Sequence, residues 1–241
     1  CSETSGNTMY LGIGRPQAFA TSTRGDSRTN NEGTDTAPLT PADNLNAQHF
    51  PFDDLLAAKK IAASDVTFAI PRRNWTTGTT YDIYRHDYGE YATGTTTAIT
   101  ANGGASTLHD SAFYVLTTDR NVYKCLDNDG NTASTVEPTG TSTSILTTAD
   151  GYRWKYMYAL SASQQTNFLS TDFMAVATNS TVSAAAVDGA VNVVKIKTAG
   201  SGGSNGSHTG VDIRGDGSSG KATVTVSGGA VTAVTVTTPG T

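Results

Sequence analysis

The stretch Ile70-Pro71-Arg72-Arg73-Asn74-Trp75 constrains this chain more than any other. The apolar alternation Val66, Phe68, Ile70 runs into it. Pro71 has no N–H to give to a ladder, so a strand inside a sheet cannot continue through that position. The chain must turn a corner there, carrying Arg72, Arg73 and Trp75 to the surface. Each arginine presents a planar fork of donors, and the tryptophan is a large rigid anchor. Past a Thr-rich connection, the aromatic run Tyr81-Asp82-Ile83-Tyr84 predicts a strand. A corner of this composition suits a protein–protein contact better than a catalytic centre.

The chain has 241 residues, enough for one large or two modest domains with real cores. Charged residues make up only 15% and hydrophobic ones 37%, with 25 glycines. Thr, Val, Tyr and Ala alternating with Gly and Ser predict short strands and turns, hence a mainly β chain. A net charge of −5 opposes nucleic-acid binding, which needs clustered Lys and Arg. No apolar run approaches membrane-spanning length, and the opening residues read as no secretory h-region. Cys1 and Pro239-Gly240-Thr241 read as cuts in a longer polypeptide. The two cysteines, Cys1 and Cys125, make no disulfide framework. Cys125, inside a strand-like run, reads as a buried free thiol in a reducing compartment.

Two domains are expected, a β-sandwich over 1–180 and a small Gly/Thr/Val-rich β module over 184–241 that continues past the end of the sequence. The first opens with a strand at Met9-Tyr10-Leu11-Gly12-Ile13-Gly14. Residues 17–44 have almost nothing to bury and read as a long mobile arm. Leu55, Leu56, Ala57, Ala58, Ile61 and Ala62 give the best helical pattern, with Asp53 and Asp54 in the first turn and Lys59 and Lys60 near the end. One short helix is therefore expected over 53–63. Further strands are expected at 112–116, 121–126 and 152–160, the first two joined by a hairpin turn at 117–120. A helical turn at 163–167 precedes a strand within 168–178, and Thr/Gly/Ser-rich loops are expected over 89–108 and 130–149. From Val182 onward no aromatic residue occurs. There a weak alternation over 191–197 and a Gly/Ser loop over 200–220 precede a hairpin: 222–226 and 231–236 flank Ser227-Gly228-Gly229-Ala230.

Several motifs invite chemistry. Gly215-Asp216-Gly217-Ser218-Ser219-Gly220-Lys221 has P-loop spacing, but Ala222 follows where a metal-binding hydroxyl belongs, so a Gly-rich β turn is favoured. Asp127-Asn128-Asp129-Gly130-Asn131 offers oxygens at calcium-loop spacing with the glycine misplaced, so a strand-ending turn is favoured over a cation site. The triplets Arg24-Gly25-Asp26 and Arg214-Gly215-Asp216 are chance products of Gly/Asp-rich loops. Asn74-Trp75-Thr76, Asn179-Ser180-Thr181 and Asn205-Gly206-Ser207 are sequons that matter only in a secreted eukaryotic protein. His49, His86, His109 and His208 show no metal spacing, no serine sits in a nucleophile elbow, and Asp53-Asp54 serves a helix start better than a glycosidase. Neither an enzyme nor a cofactor is expected. Arg153-Trp154-Lys155-Tyr156-Met157-Tyr158 alternates so that Trp154, Tyr156 and Tyr158 share one face and Arg153, Lys155 and Met157 the other. This is either a core strand with a solvated basic face or a surface docked on another subunit.

Four stretches occur in a telling order. They are Tyr10-Leu11-Gly12-Ile13-Gly14-Arg15-Pro16, Ala69-Ile70-Pro71-Arg72-Arg73-Asn74-Trp75, Val122-Tyr123-Lys124-Cys125-Leu126-Asp127, and Asp150-Gly151-Tyr152-Arg153-Trp154-Lys155-Tyr156-Met157-Tyr158. The series resembles the baseplate wedge protein of contractile-tailed bacteriophages, the gene-product-eight type of the T-even phages, over residues 9–160. Asn74 stands where that family's pattern has aspartate, and the loops 17–44 and 89–108 do not align with it. The portion from 184 resembles the Gly/Ser/Val β repeats of large virion proteins. The resemblance implies a two-layer β-sandwich and a homodimer clamped among other baseplate wedge subunits. It also implies a place in the virion tail after assembly in the bacterial cytoplasm, with no catalysis, small-molecule substrate, nucleic acid or membrane. Arg72, Arg73, Trp75, Arg153 and Trp154 are the expected interface or corner-stabilising residues. The rival reading is a glycan-binding or host-adhesion β module of a tail fibre.

Overall fold

The computed structural model describes residues 8–14, 55–91, 94, 96–196 and 198–241. The expected arm at 17–44, Cys1 and His49 lie outside them. The chain forms two compact units, Cys1–Phe68 and Ala69–Thr241. The expected boundary near 184 falls inside the second. The described residues are mainly β, in antiparallel sheets.

In the first unit, β1 (Met9–Gly14) pairs antiparallel with β2 (Leu55–Ile61), with Leu11 opposite Lys59 and Ile13 opposite Ala57. The helix expected over 53–63 is therefore a strand where it is described. Its residues are good helix formers, but a ladder partner more than forty positions away in sequence satisfies their backbone instead. A 3-10 turn, Ala63–Asp65, follows. The Asp65 carboxylate accepts from the Ala62 amide at 2.9 Å and pairs with Lys59 at 3.4 Å.

The second unit is built on a four-stranded antiparallel sheet in the order β4-β5-β7-β6: Tyr114–Leu116, Asn121–Asp127, Arg153–Ala159 and Leu146–Thr147. The turn at 117–120 forms as expected, closed by Arg120 N–H on the Thr117 carbonyl at 3.0 Å. One face of the sheet buries Tyr81, Val115, Tyr123, Cys125, Tyr152, Trp154 and Tyr156. The other buries Tyr114, Leu116, Val122, Tyr158 and Leu160 beneath Met174 and Ala175. Those last two belong to β8 (Phe173–Ala175), which pairs with β3 (Ala69–Pro71) to form a small second layer. The face assignment of β7 changes at one point. A bulge sets Tyr156 opposite Tyr123 but Tyr158 opposite Val122, so Tyr158 turns to the second core. Helix α1 (Ala162–Phe168) starts with a reciprocal cap: the Gln164 amide donates to Ser161 Oγ at 3.2 Å, and the Ser161 amide to Gln164 Oε1 at 3.0 Å. Residues 81–84 are not a strand, although Tyr81 and Asp82 are buried.

After α2 (Ser180–Ala184), a three-stranded sheet follows in the order β11-β10-β9: Ala230–Thr238, Lys221–Ser227 and Gly206–Asp212. The β10–β11 hairpin forms as expected. Gly228 and Gly229 have φ of 61° and 79°, the left-handed pair a tight hairpin requires. Part of the expected 200–220 loop is strand β9. The alternation at 191–197 gives no strand, yet the segment lies along β11. Val191 N–H donates to the Pro239 carbonyl and Val231 N–H to the Ala199 carbonyl, both at 2.9 Å.

Candidate interaction surface

The corner at Pro71 is a switch between sheets. β3 ends on Pro71, and the next residues attach to the edge of β4: Trp75 N–H donates to the Leu116 carbonyl at 2.9 Å and Leu116 N–H to the Arg73 carbonyl at 2.7 Å. Arg72 spans the bend, its Nε on Asn74 Oδ1 at 2.9 Å and its Nη1 on the Ser170 carbonyl at 2.8 Å. Arg73 donates from Nη2 to the Asp110 carbonyl at 2.8 Å and lies over the Tyr114 ring at 5.7 Å. Tyr114 in turn donates its hydroxyl to the Pro71 carbonyl at 2.7 Å. Trp75 is half-buried against the first core, with Nε1 on Ser134 Oγ at 3.1 Å. Both arginines thus satisfy carbonyls of their own subunit and stabilise the corner.

The structure separates these residues from Trp154. That side chain is fully buried, stacked on Tyr152 at 5.3 Å and edge-on to Tyr81 at 5.7 Å. It offers nothing to a partner, which corrects its expected place at an interface. Burial follows from its face of β7, which opposes Cys125 and turns into the aromatic core. Arg153 lies on the opposite face with Lys155, half-buried and with no acidic partner among the described residues. Lys155 stands opposite Lys124 in the ladder and donates to the Thr143 carbonyl. The Lys124 ammonium sits 4.3 Å over the Tyr84 ring, whose neighbour Phe113 is 5.3 Å away. Burial, and then Lys155, hold the Lys124 ammonium below the usual lysine range.

Three carboxylates organise the loops around the core. Asp150 accepts from Ser134 Oγ, the Thr135 and Val136 amides and Thr148 Oγ1, at 3.0, 2.8, 3.0 and 2.5 Å. Burial works against its charge, but these donors outweigh burial and hold the carboxyl down at about 2. Asp82 accepts from the Gly103 and Ala112 amides at 2.9 and 2.8 Å. Asp127, at the end of β5, pairs with Lys195 at 2.9 Å, and the same ammonium reaches Asn128 Oδ1 at 3.1 Å. In the calcium-like stretch, left-handed residues at Asp129, Gly130 and Asn131 make the strand-ending turn expected there. Lys195 takes two of its oxygens, on Asp127 and Asn128. Sequence reasoning missed Asp150, although a Thr two residues before an Asp and a following glycine is the signal of such a side-chain-closed turn.

The remaining motif residues do not converge. Asp87 is held by Arg85 at 2.7 Å, and His109 meets only its neighbour Asp110, at 3.2 Å and exposed. Lys221 opens β10 and pairs with Asp212 at 2.7 Å, as a β turn rather than a phosphate loop would have it. Burial pushes the Cys125 thiol up, away from reactivity. Among the described residues no three His, Cys, Asp or Glu side chains are grouped to hold a metal, and no helix is long and apolar enough to cross a membrane. No family model, curated protein or solved structure matches this chain.

Proposed function

We propose that this chain is a structural virion protein, a baseplate wedge subunit of a contractile phage tail that dimerises and links other wedge components without catalysis. The observation that carries the reading is a convergence. Of the four stretches that resemble the wedge protein, three build a single sheet and its corner: the Pro71 bend, β5 and β7. They are spent on scaffold geometry, and the surface they leave carries Arg153 and Trp75, of the arginine and aromatic types enriched at subunit contacts. The test is to purify tails of a contractile-tailed phage that encodes this chain and identify their proteins by mass spectrometry. Incorporation at stoichiometric level, with a dimer of the purified chain by sedimentation, is the expected result. Absence from intact tails overturns the reading.

A second reading, the glycan-binding or adhesion module of a tail fibre, is favoured by an open hollow of about 390 Å³ in the C-terminal sheet region, between Val191, Arg214, Asp216 and Pro239. Saturable binding on a glycan array, lost on replacing Arg214 and Asp216 with alanine, would select it.

A further inference from the structure

We infer that the cationic end of the main sheet, Lys124, Arg153 and Lys155, is a docking site for an extended acidic segment of a partner polypeptide. The inference rests on the wedge-subunit reading and names the chemistry of one partner contact.

Its first ground is a like-charge cost that the Thr143 carbonyl beneath Lys155 and the Tyr84 ring beneath Lys124 ease, but that no described carboxylate neutralises. Lys124 and Lys155 are directly opposite each other on adjacent strands. Like charges in that relation repel, with side chains starting only about 5 Å apart. Both residues are half-buried, and no described carboxylate pairs with them or with Arg153. The nearest acid in the ladder, Asp127, is opposite Arg153 but is taken by Lys195 at 2.9 Å. The chain is acidic overall at −5, so this local excess of positive charge is not a spillover of composition.

The second ground is geometry. Arg153 and Lys155 are two apart on β7 and so lie on one face about 7 Å apart, the spacing of alternate side chains on an extended peptide. Lys124 flanks them, and Tyr84 and Phe113 form an aromatic wall beside it. A strand with carboxylates at alternate positions matches both the spacing and the charge. Three cations on an acidic protein are too few for a nucleic-acid backbone, which recruits many more phosphate contacts.

The test uses the whole chain and a fluorescein-labelled oligoglutamate peptide, read by anisotropy at low and high salt. Wild type is expected to bind with steep salt dependence. The Lys124→Met, Lys155→Met double variant, which keeps side-chain length, is expected to bind about tenfold more weakly. It should melt close to wild type, because the repulsion removed offsets the lost Thr143 hydrogen bond and Tyr84 contact. Equal binding by the variant overturns the inference, as does failure of wild type to bind the peptide or tighter binding of an oligonucleotide of equal charge. Loss of peptide binding together with a lower melting temperature assigns the lysines to the fold and also overturns it. The parent reading fails separately, by absence of the chain from purified tails, and the peptide measurement does not depend on that result.

Discussion

The aromatic sheet at 114–160 and the Thr/Val sheet at 206–238 are both antiparallel, and they are held together by different means. In the first, Tyr81, Tyr123, Tyr152, Trp154 and Tyr156 interlock, and the hydroxyls of Tyr81, Tyr123 and Tyr152 reach loop carbonyls; Tyr152 donates to the Thr132 carbonyl at 2.6 Å. Burial pushes the hydroxyls of Tyr123 and Tyr152 up to about 12, so they stay protonated donors throughout the physiological range. In the second, only Ala222 and Val226 are buried hydrophobics, and backbone pairing with glycine turns supplies the order. Side-chain packing fixes a unique geometry in one region, and ladder and turn geometry fix it in the other. Lys195, in the non-strand segment before the second sheet, pairs with Asp127 at the end of β5 in the first.

That contrast can be broken most strongly at Trp154. Trp154→Ala should cost about 3–5 kcal/mol in denaturant unfolding, whereas Val226→Ala in the other sheet should cost only about 1–2 kcal/mol. Next comes Asp150. Its carboxyl is low in the folded chain and ordinary in the unfolded one. Its contribution is therefore complete above about pH 4 and is lost as pH falls toward 2. Discounted for partial exposure, the loss should be about 1–2 kcal/mol. Asp150→Asn should flatten that part of the stability profile, followed by thermal melts from pH 6 to pH 2.

Gly229→Ala should cost about 1–2 kcal/mol. Its φ is 79°, and a Cβ there would meet the Gly202 amide at 3.1 Å. Hydrogen exchange should localise the effect to the β10–β11 hairpin, leaving β4, β5 and β7 protected. The smallest effect is expected at the corner. Asn74→Asp would give Arg72 Nε a charged acceptor in place of the amide oxygen now at 2.9 Å, raising stability by about 0.5 kcal/mol. An unchanged midpoint in denaturant would show that the bend is already saturated.

Local signals were legible where local chemistry decides the outcome. The 117–120 turn, the Gly228-Gly229 hairpin, the helical turn at 163–167 and the buried state of Cys125 all follow from residues close in sequence. The strand at 55–61 is not legible locally, because its helix-forming residues are overruled by a partner at 9–14 that no local pattern reveals. Strand β9 was hidden for the opposite reason: Gly206 and Gly210 interrupt it, and Val211 is its only large apolar residue. The face of Tyr158 depended on a bulge, which shifts register without a mark in the alternation. At the interaction surface, the corner arginines and Trp75 were legible as a group, and their internal partners at Asp110, Ser134 and Ser170 were not. The opposition of Lys124 and Lys155 needed the β5–β7 register.

The sheet-switching bend has a colloidal consequence. By lying along β4, residues 73–75 occupy hydrogen-bonding positions that would otherwise invite a stranger's strand. Molecules crowded at high local concentration can then touch through side chains without their main sheets fusing into a growing fibre. A proline, placed where the backbone must leave one layer, doubles as a guard against runaway polymerisation.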